Sequence, residues 1–514
     1  MSKPALSPEA FAEQRLKKRH AAERRFKLYG QLAIGIAISF LAILLVSISS
    51  KALGAFSRHM LVVTIDQSEL SQRPELTVSD LNLAVRDALL EEFPEIAADR
   101  QARIELFGLT TRLAVLPLTE EAQDDPNLFE GPVETRLALS DDLDLYLKNN
   151  IKDHESREVG RAGRFAADTS GMFRLTDADP DGFVDFQEFV EALPAPNTDI
   201  LISLSGAWFE LLDVSGAALE LKHMAGALPN LGEQNAGRIE AIILPSSSEN
   251  RKVSNRQIVF GMMLQERGKI QYRFNQSLFS NSDSTYPELA GAAAALVGSL
   301  FTMLITALFA IPVGILAAVY LEEFAKKSLL TNVIEVNINN LAAVPSIIFG
   351  LLGAAVFLNT FGMPRSVPLV GGLVLGLLVL PTIIIASRAA LQSVPPSVRD
   401  AALGLGASHS QAVFHHVLPL AAPGIFTGAI IAMARALGET APLLLIGMVA
   451  FISEVPRSPS DEATVLPVLI YKWFSGAERA WEPMTAAVII MLLTILVGIN
   501  LVAILLRRRF ERRW

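Results

Sequence analysis

Twelve consecutive residues carry the oxygen ligands that a hard cation requires: Asp177-Ala-Asp179-Pro-Asp181-Gly182-Phe183-Val-Asp185-Phe-Gln-Glu188. Asp177, Asp179 and Asp181 offer carboxylate oxygens, Phe183 its backbone carbonyl, and Asp185 a ligand directly or through water. Glu188 closes the set with two oxygens, and Gly182 supplies the sharp turn. This is the spacing of an EF-hand loop. Oxygen donors without His or Cys favour Ca²⁺ over a transition metal. Phe189 and Leu193 continue an apolar helical face after the loop, while Phe173 and Leu175 precede it in an entering helix that Gly171 interrupts. No second loop pairs with this one, because Asp213-Val-Ser215 begins alike but lacks the glycine and the terminal glutamate. A lone hand would staple a domain rather than switch it. An acidic, solvated turn is the alternative reading of the same residues.

A second group places charge among apolar residues. Arg435 and Glu439 stand four apart inside the apolar run 422–449, on one face of a helix. Charges in lipid are costly, so the pair is expected to face a bundle interior or a wet cavity and to mark a pathway. An arginine fork suits a tetrahedral oxyanion through paired hydrogen bonds. Glu439 would orient Arg435 and limit its attraction, so that a bound anion can leave. A purely structural ion pair is the plain alternative. Arg388, near the end of the run 367–389, reads by itself as an interfacial, snorkelling arginine.

A third group forms a polar break between two apolar runs. Asp400-Ala401-Ala402 is expected to open a short helix whose small side chains admit another protein closely. Gly406 permits a turn that a Cβ would resist. Leu418, Pro419 and Pro423 then end the connection and start the next membrane helix. Such a loop has no use against lipid and is expected to dock a soluble partner.

These groups need elements to position them. Of 514 residues, 51% are hydrophobic and 19% charged, too apolar for an ordinary soluble surface and too charged for spans alone. The apolar run 28–50 follows Arg15, Lys17, Lys18, Arg19, Arg24, Arg25 and Lys27. It reads as a membrane anchor behind a basic cytoplasmic tail, 1–27, and not as a cleaved leader. Further runs at about 289–320, 338–360, 367–389, 422–449 and 485–506 give about six spans. Alternation puts 51–286 outside, and the loop 395–423 and the basic tail 507–514 inside; Arg507, Arg508, Arg509, Arg512 and Arg513 agree with the positive-inside bias. The membrane domain is then 287–506. Within 51–286 a helical period runs over 79–92, and short apolar runs at 200–204, 208–212 and 217–221, separated by Gly206 and Gly216, read as a strand meander. The fold class is an α-helical polytopic membrane protein with an inserted α+β extracytoplasmic domain. The chain has no cysteine, hence neither disulfide nor thiolate site. It has no phosphate-binding loop either, since Gly268-Lys269 is followed by Ile270. Nothing points to nucleic acid.

The residues Asp400-Ala-Ala, Gly406 and Leu418-Pro419 resemble the cytoplasmic EAA loop of ABC-importer permeases, with Asp400 where the general motif has Glu. From about 287 to 514 the chain strongly resembles PstA, the permease family of the bacterial phosphate ABC importer. The resemblance lies in Glu335-Val-Asn-Ile-Asn-Asn-Leu-Ala-Ala-Val-Pro-Ser346, Leu380-Pro-Thr-Ile-Ile-Ile-Ala-Ser-Arg-Ala-Ala390, His415-His416-Val-Leu-Pro419 and Ala436-Leu-Gly-Glu-Thr-Ala-Pro442. His416 departs from importers at large and suits this family. Ser140-Asp-Asp-Leu-Asp-Leu-Tyr-Leu-Lys148 is similar to the extracytoplasmic extension of a subset of PstA proteins; the cation-loop segment is an insertion that the resemblance does not explain. It implies a type I ABC-importer permease fold in the bacterial inner membrane and import of inorganic phosphate. It also implies no catalytic residue and no intrinsic cofactor, with ATP bound by a partner. The implied partners are a PstC-like permease, a PstB-like ATPase dimer and a periplasmic phosphate-binding protein. Arg388 becomes, by resemblance, a second candidate for phosphate transit. Rival readings are import of sulfate or molybdate, and a membrane-anchored calcium sensor working through 51–286, against which the number of spans argues.

Overall fold

The computed structural model describes residues 8–66, 70, 76–125, 128–148, 155–167, 172–177, 199–215, 218–228, 234–244 and 252–510. A single long helix, α1 (Pro8–Ala52), leads in. None of the residues of its apolar stretch is buried within the described chain, as expected of a helix that largely faces lipid; Ile48, near its end, packs against the cluster that holds Ala487 and Met491.

The strand-bearing part follows. β1 (Ser57–Ile65) is succeeded by α2 (Val78–Glu92), α3 (Arg100–Phe107), α4 (Leu116–Asp124), β2 (Val133–Ala138) and α5 (Asp141–Leu147). Six strands come next: β3 (Glu155–Ala167), β4 (Phe173–Asp177), β5 (Asp199–Leu204), β6 (Ala207–Ser215), β7 (Ala218–Ala225) and β8 (Gln234–Leu244). Then come α6 (Asn255–Glu266), β9 (Ile270–Phe274) and α7 (Ser277–Ser280). Local chemistry sets the helix starts: Thr77 with Asp80, and Ser254 with Gln257, form capping boxes that satisfy the first free N–H groups of α2 and α6. Leu81, Val85 and Leu89 fall on one face of α2 and pack with Leu61, Val63, Phe93 and Phe260.

Two sheets result. One has the order β2-β1-β9, antiparallel throughout; the other closes into a barrel, β3-β4-β7-β6-β5-β8. The expected meander is present as β5, β6 and β7, antiparallel neighbours. The turn between β5 and β6 has positive φ at both Ser205 and Gly206, which matches the twist of a two-residue hairpin. Leu175, Ile202, Phe209, Leu221 and Ala241 make a barrel core separate from that of the first sheet. Closure was not apparent from the strand pattern, because the partner of β3 on one side is β8, more than sixty residues on.

The segment entering the proposed cation loop is a strand and not a helix. Phe173 and Leu175 alternate inward along β4, which ends at Asp177, so their spacing has the period of two that a strand requires. Residues 178–188, with Asp179, Asp181, Phe183, Asp185 and Glu188, lie outside the described residues.

The remaining helices form the membrane bundle: α8 (Ala293–Val319, continued by a π turn at Tyr320–Phe324), α9 (Leu329–Ala342), α10 (Ser346–Gly353, continued to Thr360), α11 (Pro368–Gln392), α12 (Pro396–Gly404), α13 (His409–Ala412), α14 (Leu418–Gly438), α15 (Ala441–Leu445), α16 (Leu466–Phe474) and α17 (Trp481–Phe510). Among the described residues, five helical runs are long and apolar enough to cross a membrane, or six if the bent pair 329–342 and 346–360 is one span. That pair corrects the expected straight span at 338–360. It bends by 105° at Pro345, where the ring removes a backbone donor and disfavours helix in the preceding residue. The expected span 422–449 is also shorter: α14 stops at Gly438 and a separate short helix follows.

Candidate functional site

The polar break holds α12, whose first turn begins at Pro396, a position where a missing N–H costs nothing. Asp400 therefore stands inside this helix, not at its start as expected. Asp400 and Ala401 are exposed, whereas Ala402 is packed inward. Leu403 and Leu405 are exposed, the latter at 91%. An apolar side chain so open beside an acidic one is what a protein partner would cover. Gly406 ends the helix with φ +88°, and Ala407 N–H donates to Ala402 O at 3.1 Å, the carbonyl-capping turn for which glycine is suited. Ser408 and Gln411 then cap the next helix. That helix runs without interruption from His409 to Gly438, through a π turn at Val413–Val417. Leu418 and Pro419 thus lie within one helical run and do not start a new span; the widened turn before them accommodates the ring that an ordinary α turn would exclude.

Behind this loop lies a network that sequence reading missed. Arg399 forks onto Glu323: its Nε donates at 3.2 and 3.1 Å to the two carboxylate oxygens and a terminal nitrogen donates at 2.5 Å. Its other N–H groups reach Val394 O at 2.9 Å and Leu391 O at 3.1 Å. The Glu323 side chain is 4% exposed. His409 Nε2 donates to Glu323 O at 2.8 Å. One turn away, Arg388 donates to Glu335 at 2.9 Å and to Glu322 at 3.4 Å, while Gln392 also donates to Glu322. The available signal was Glu322-Glu323 closing an apolar run: two acids at a span end need partners.

Arg388 is consequently not a free interfacial arginine. It joins α11 to α9 and to the end of α8, with two carboxylates against one guanidinium, so a passing anion meets competition there. Arg435 and Glu439 also differ from expectation. Arg435 occupies the last turn of α14, and Glu439 is the residue that ends it, with ψ 123°. Arg435 Nε lies 3.5 Å from Glu439 Oε1; their side chains are 45% and 20% exposed. Arg435 thus retains an open side toward which an anion could come. The two arginines are not together. A Cβ on Gly428 would sit 2.3 Å from that of Ala386, which fixes the antiparallel level of α14 against α11 and puts Arg435 about 13 Å along the axis from Arg388.

A third cluster sits where α5 and β1 meet the start of the bundle. Arg58, His59, Asp141, Asp144, Lys148 and Glu288 line a cavity of about 40 Å³. His59 pairs with Asp144 at 2.9 Å, and Lys148 is hydrogen-bonded to the same carboxylate. Arg58 donates to Glu288 O at 2.9 Å. The carboxyl oxygens of Glu288 and Oδ2 of Asp141 are buried without an ordinary hydrogen-bond partner among the described residues. Burial, with Asp141 and Asp142 nearby, pushes the Glu288 carboxyl up to about 7. Among the described residues no three His, Cys, Asp or Glu side chains converge to hold a metal ion.

Comparison with known proteins gives this arrangement its relatives. Residues 310–513 match the family described as binding-protein-dependent transport system inner membrane component, and residues 13–157 match a domain of unknown function, DUF3333. The phosphate transport system permease protein PstA 1 of Mycobacterium tuberculosis is 32% identical over 223 residues, 43% of this chain and 72% of its own length. PstA of Haemophilus influenzae is 32% identical over 206 residues, 40% of this chain and 71% of its own. Among solved structures, the inward-facing MetNI methionine ABC transporter aligns over 42% of this chain and 95% of its own, at 18% identity and a TM-score of 0.34. The permease relatives carry the assignment: this chain belongs to the PstA family of ABC transporter permease proteins.

Proposed function

We propose that the chain is the membrane-spanning permease subunit of an ATP-driven importer of inorganic phosphate. The carrying observation is the kinship to phosphate transport system permeases over the residues of the bundle. The exposed acidic and apolar surface of α12 beside Gly406 supports it. The protein is not itself an enzyme: ATP is bound and hydrolysed by a separate subunit, a PstB-like dimer, that docks on Asp400, Ala401, Leu403 and Leu405. A PstC-like permease completes the path, and a phosphate-binding protein delivers substrate from outside. The chain is a multi-pass inner-membrane protein, and both termini face the cytoplasm with 51–286 in the periplasm. Basic residues in the first part of α1, ahead of its apolar stretch, and at the end of α17 support that orientation.

On the path, Arg435 receives the phosphate oxyanion through its planar fork and Glu439 keeps the guanidinium oriented. Arg388, held by Glu322 and Glu335, contributes less than the family resemblance suggests. The ligand spacing from Asp177 to Glu188 supports a Ca²⁺ site that staples the periplasmic domain. The deciding experiment is uptake of radiolabelled phosphate, against sulfate, into vesicles holding this chain with the partner permease and ATPase. ATP-dependent phosphate uptake is expected; sulfate uptake in its place would replace the substrate, and no uptake of either would remove the importer reading.

A further inference from the structure

Two parts of the chain far apart in sequence meet at the Arg399 side chain. Glu323 closes α8, Arg399 lies on α12 immediately before the exposed Asp400, and Leu391 and Val394 lie at the end of α11 and just beyond. Five hydrogen bonds run at 3.2 Å or less between the guanidinium and a carboxylate or carbonyl oxygen, and the carboxylate is almost sealed from water. Charge-assisted, bidentate bonds in such a place resist shear better than apolar contact, because sliding by one ångström breaks the fork. His409 fastens the following helix to the same residue through the Glu323 carbonyl. α8 in turn lies tightly on α11, where a Cβ on Gly314 would meet Ile383 at 2.7 Å and one on Gly376 would meet Phe309 at 2.5 Å.

We propose that Glu323 and Arg399 are positioning residues for coupling: they form a strut that makes the docking helix α12 and the span α8 move as one body. A displacement of α12 by the ATPase then reaches the transport path without being absorbed in the loop. The proposal rests on the importer reading for its cause, the ATPase, but the strut itself is a property of this chain. The surface that meets the partner, Asp400, Leu403 and Leu405, is separate from the strut behind it. Lysine cannot replace Arg399, since a point charge cannot hold both carboxylate oxygens and two carbonyls at once.

The test uses the complete importer in proteoliposomes, with Glu323→Gln and Arg399→Lys as separate variants. Three quantities are read: ATPase retained on the complex, phosphate taken up per ATP hydrolysed, and a distance. Because the chain has no native cysteine, Ser397→Cys and Leu316→Cys accept a spin-label pair spanning α12 and α8, both exposed. Expected is retained ATPase, at least a tenfold fall in phosphate per ATP, and a distance distribution that broadens on ATP binding in both variants but stays narrow in the parent. Unchanged phosphate per ATP, or an unchanged distribution, overturns the strut. Loss of the ATPase with an unchanged distribution also overturns it, by showing that the pair only shapes the docking surface. If the parent complex takes up no phosphate, the importer reading fails, while the distance measurement still decides whether α12 and α8 are tied.

Discussion

Replacing Glu288 by Gln should flatten the pH dependence of this protein's stability and stabilise it in mild alkali. The carboxyl is held near 7 in place of its ordinary 4.5 by burial, with Asp141 and Asp142 adding repulsion, and the nearby Thr111 hydroxyl offsets only part of this. At about 1.4 kcal/mol per tenfold change, the folded state disfavours the ionised carboxylate by roughly 3 kcal/mol, an upper figure for one group. The sign follows from proton counting. Below the unfolded value both states hold the proton, and the parent suffers no penalty. As pH rises from about 4.5 to about 7 the unfolded chain releases its proton first, so stability falls; above 7 the loss is complete and stays constant. An amide of the same shape has nothing to ionise. Glu288→Gln and parent should therefore melt close together at pH 5, with the variant higher by pH 8. For a cooperative unit of 150–250 residues each kcal/mol moves the midpoint by about 2–4 °C, so a gap of several degrees is expected. The assay is thermal unfolding of the whole chain in detergent at pH 5, 6, 7 and 8. Parallel curves for variant and parent would falsify the assignment of a buried, neutral carboxyl to this junction.

Gly406→Val should cost about 1–2 kcal/mol in the docking turn, since its φ is +88° and a Cβ there meets no neighbour within 4 Å; substrate-stimulated ATP hydrolysis should fall roughly 5- to 30-fold, and equal stimulation in Gly406→Val and Gly404→Ala would count against the turn. Arg435→Gln should lower phosphate uptake more than tenfold with the complex still assembled, and Arg435→Lys should restore little because the fork is lost; parental uptake in Arg435→Gln would place Arg435 off the path. Ten millimolar Ca²⁺ should raise the melting point of the whole chain, by about 1.4 kcal/mol of linkage if Kd is near 1 mM. Glu188→Gln should remove that rise, and a calcium-independent melting point in the parent would reduce the loop to an acidic turn.

What the sequence determined by itself is what local physics sets. Apolar runs of span length mark the membrane helices, because burial in hydrocarbon depends on composition over about twenty residues and not on neighbours. Thr77 with Asp80 and Ser408 with Gln411 start their helices through bonds to N–H groups three residues on. Gly406 marks a turn because a Cβ resists positive φ wherever it occurs. The short apolar runs of 200–221, broken at Gly206 and Gly216, already marked the strands of a meander. The tertiary structure alone decided the rest. Arg399 finds Glu323 across 76 residues and Arg388 finds Glu335 across 53, and no local pattern encodes which of several carboxylates an arginine will meet. The apolar run at 338–360 and the run at 422–449 are apolar enough to be straight spans; that Pro345 bends the first by 105° whereas Pro312 and Pro381 lie inside unbroken helices, and that the second ends at Gly438, is decided only in the folded bundle. For the same reason Arg435 and Glu439, which look like one buried helical face in the sequence, stand at a helix end, where the guanidinium has an open side.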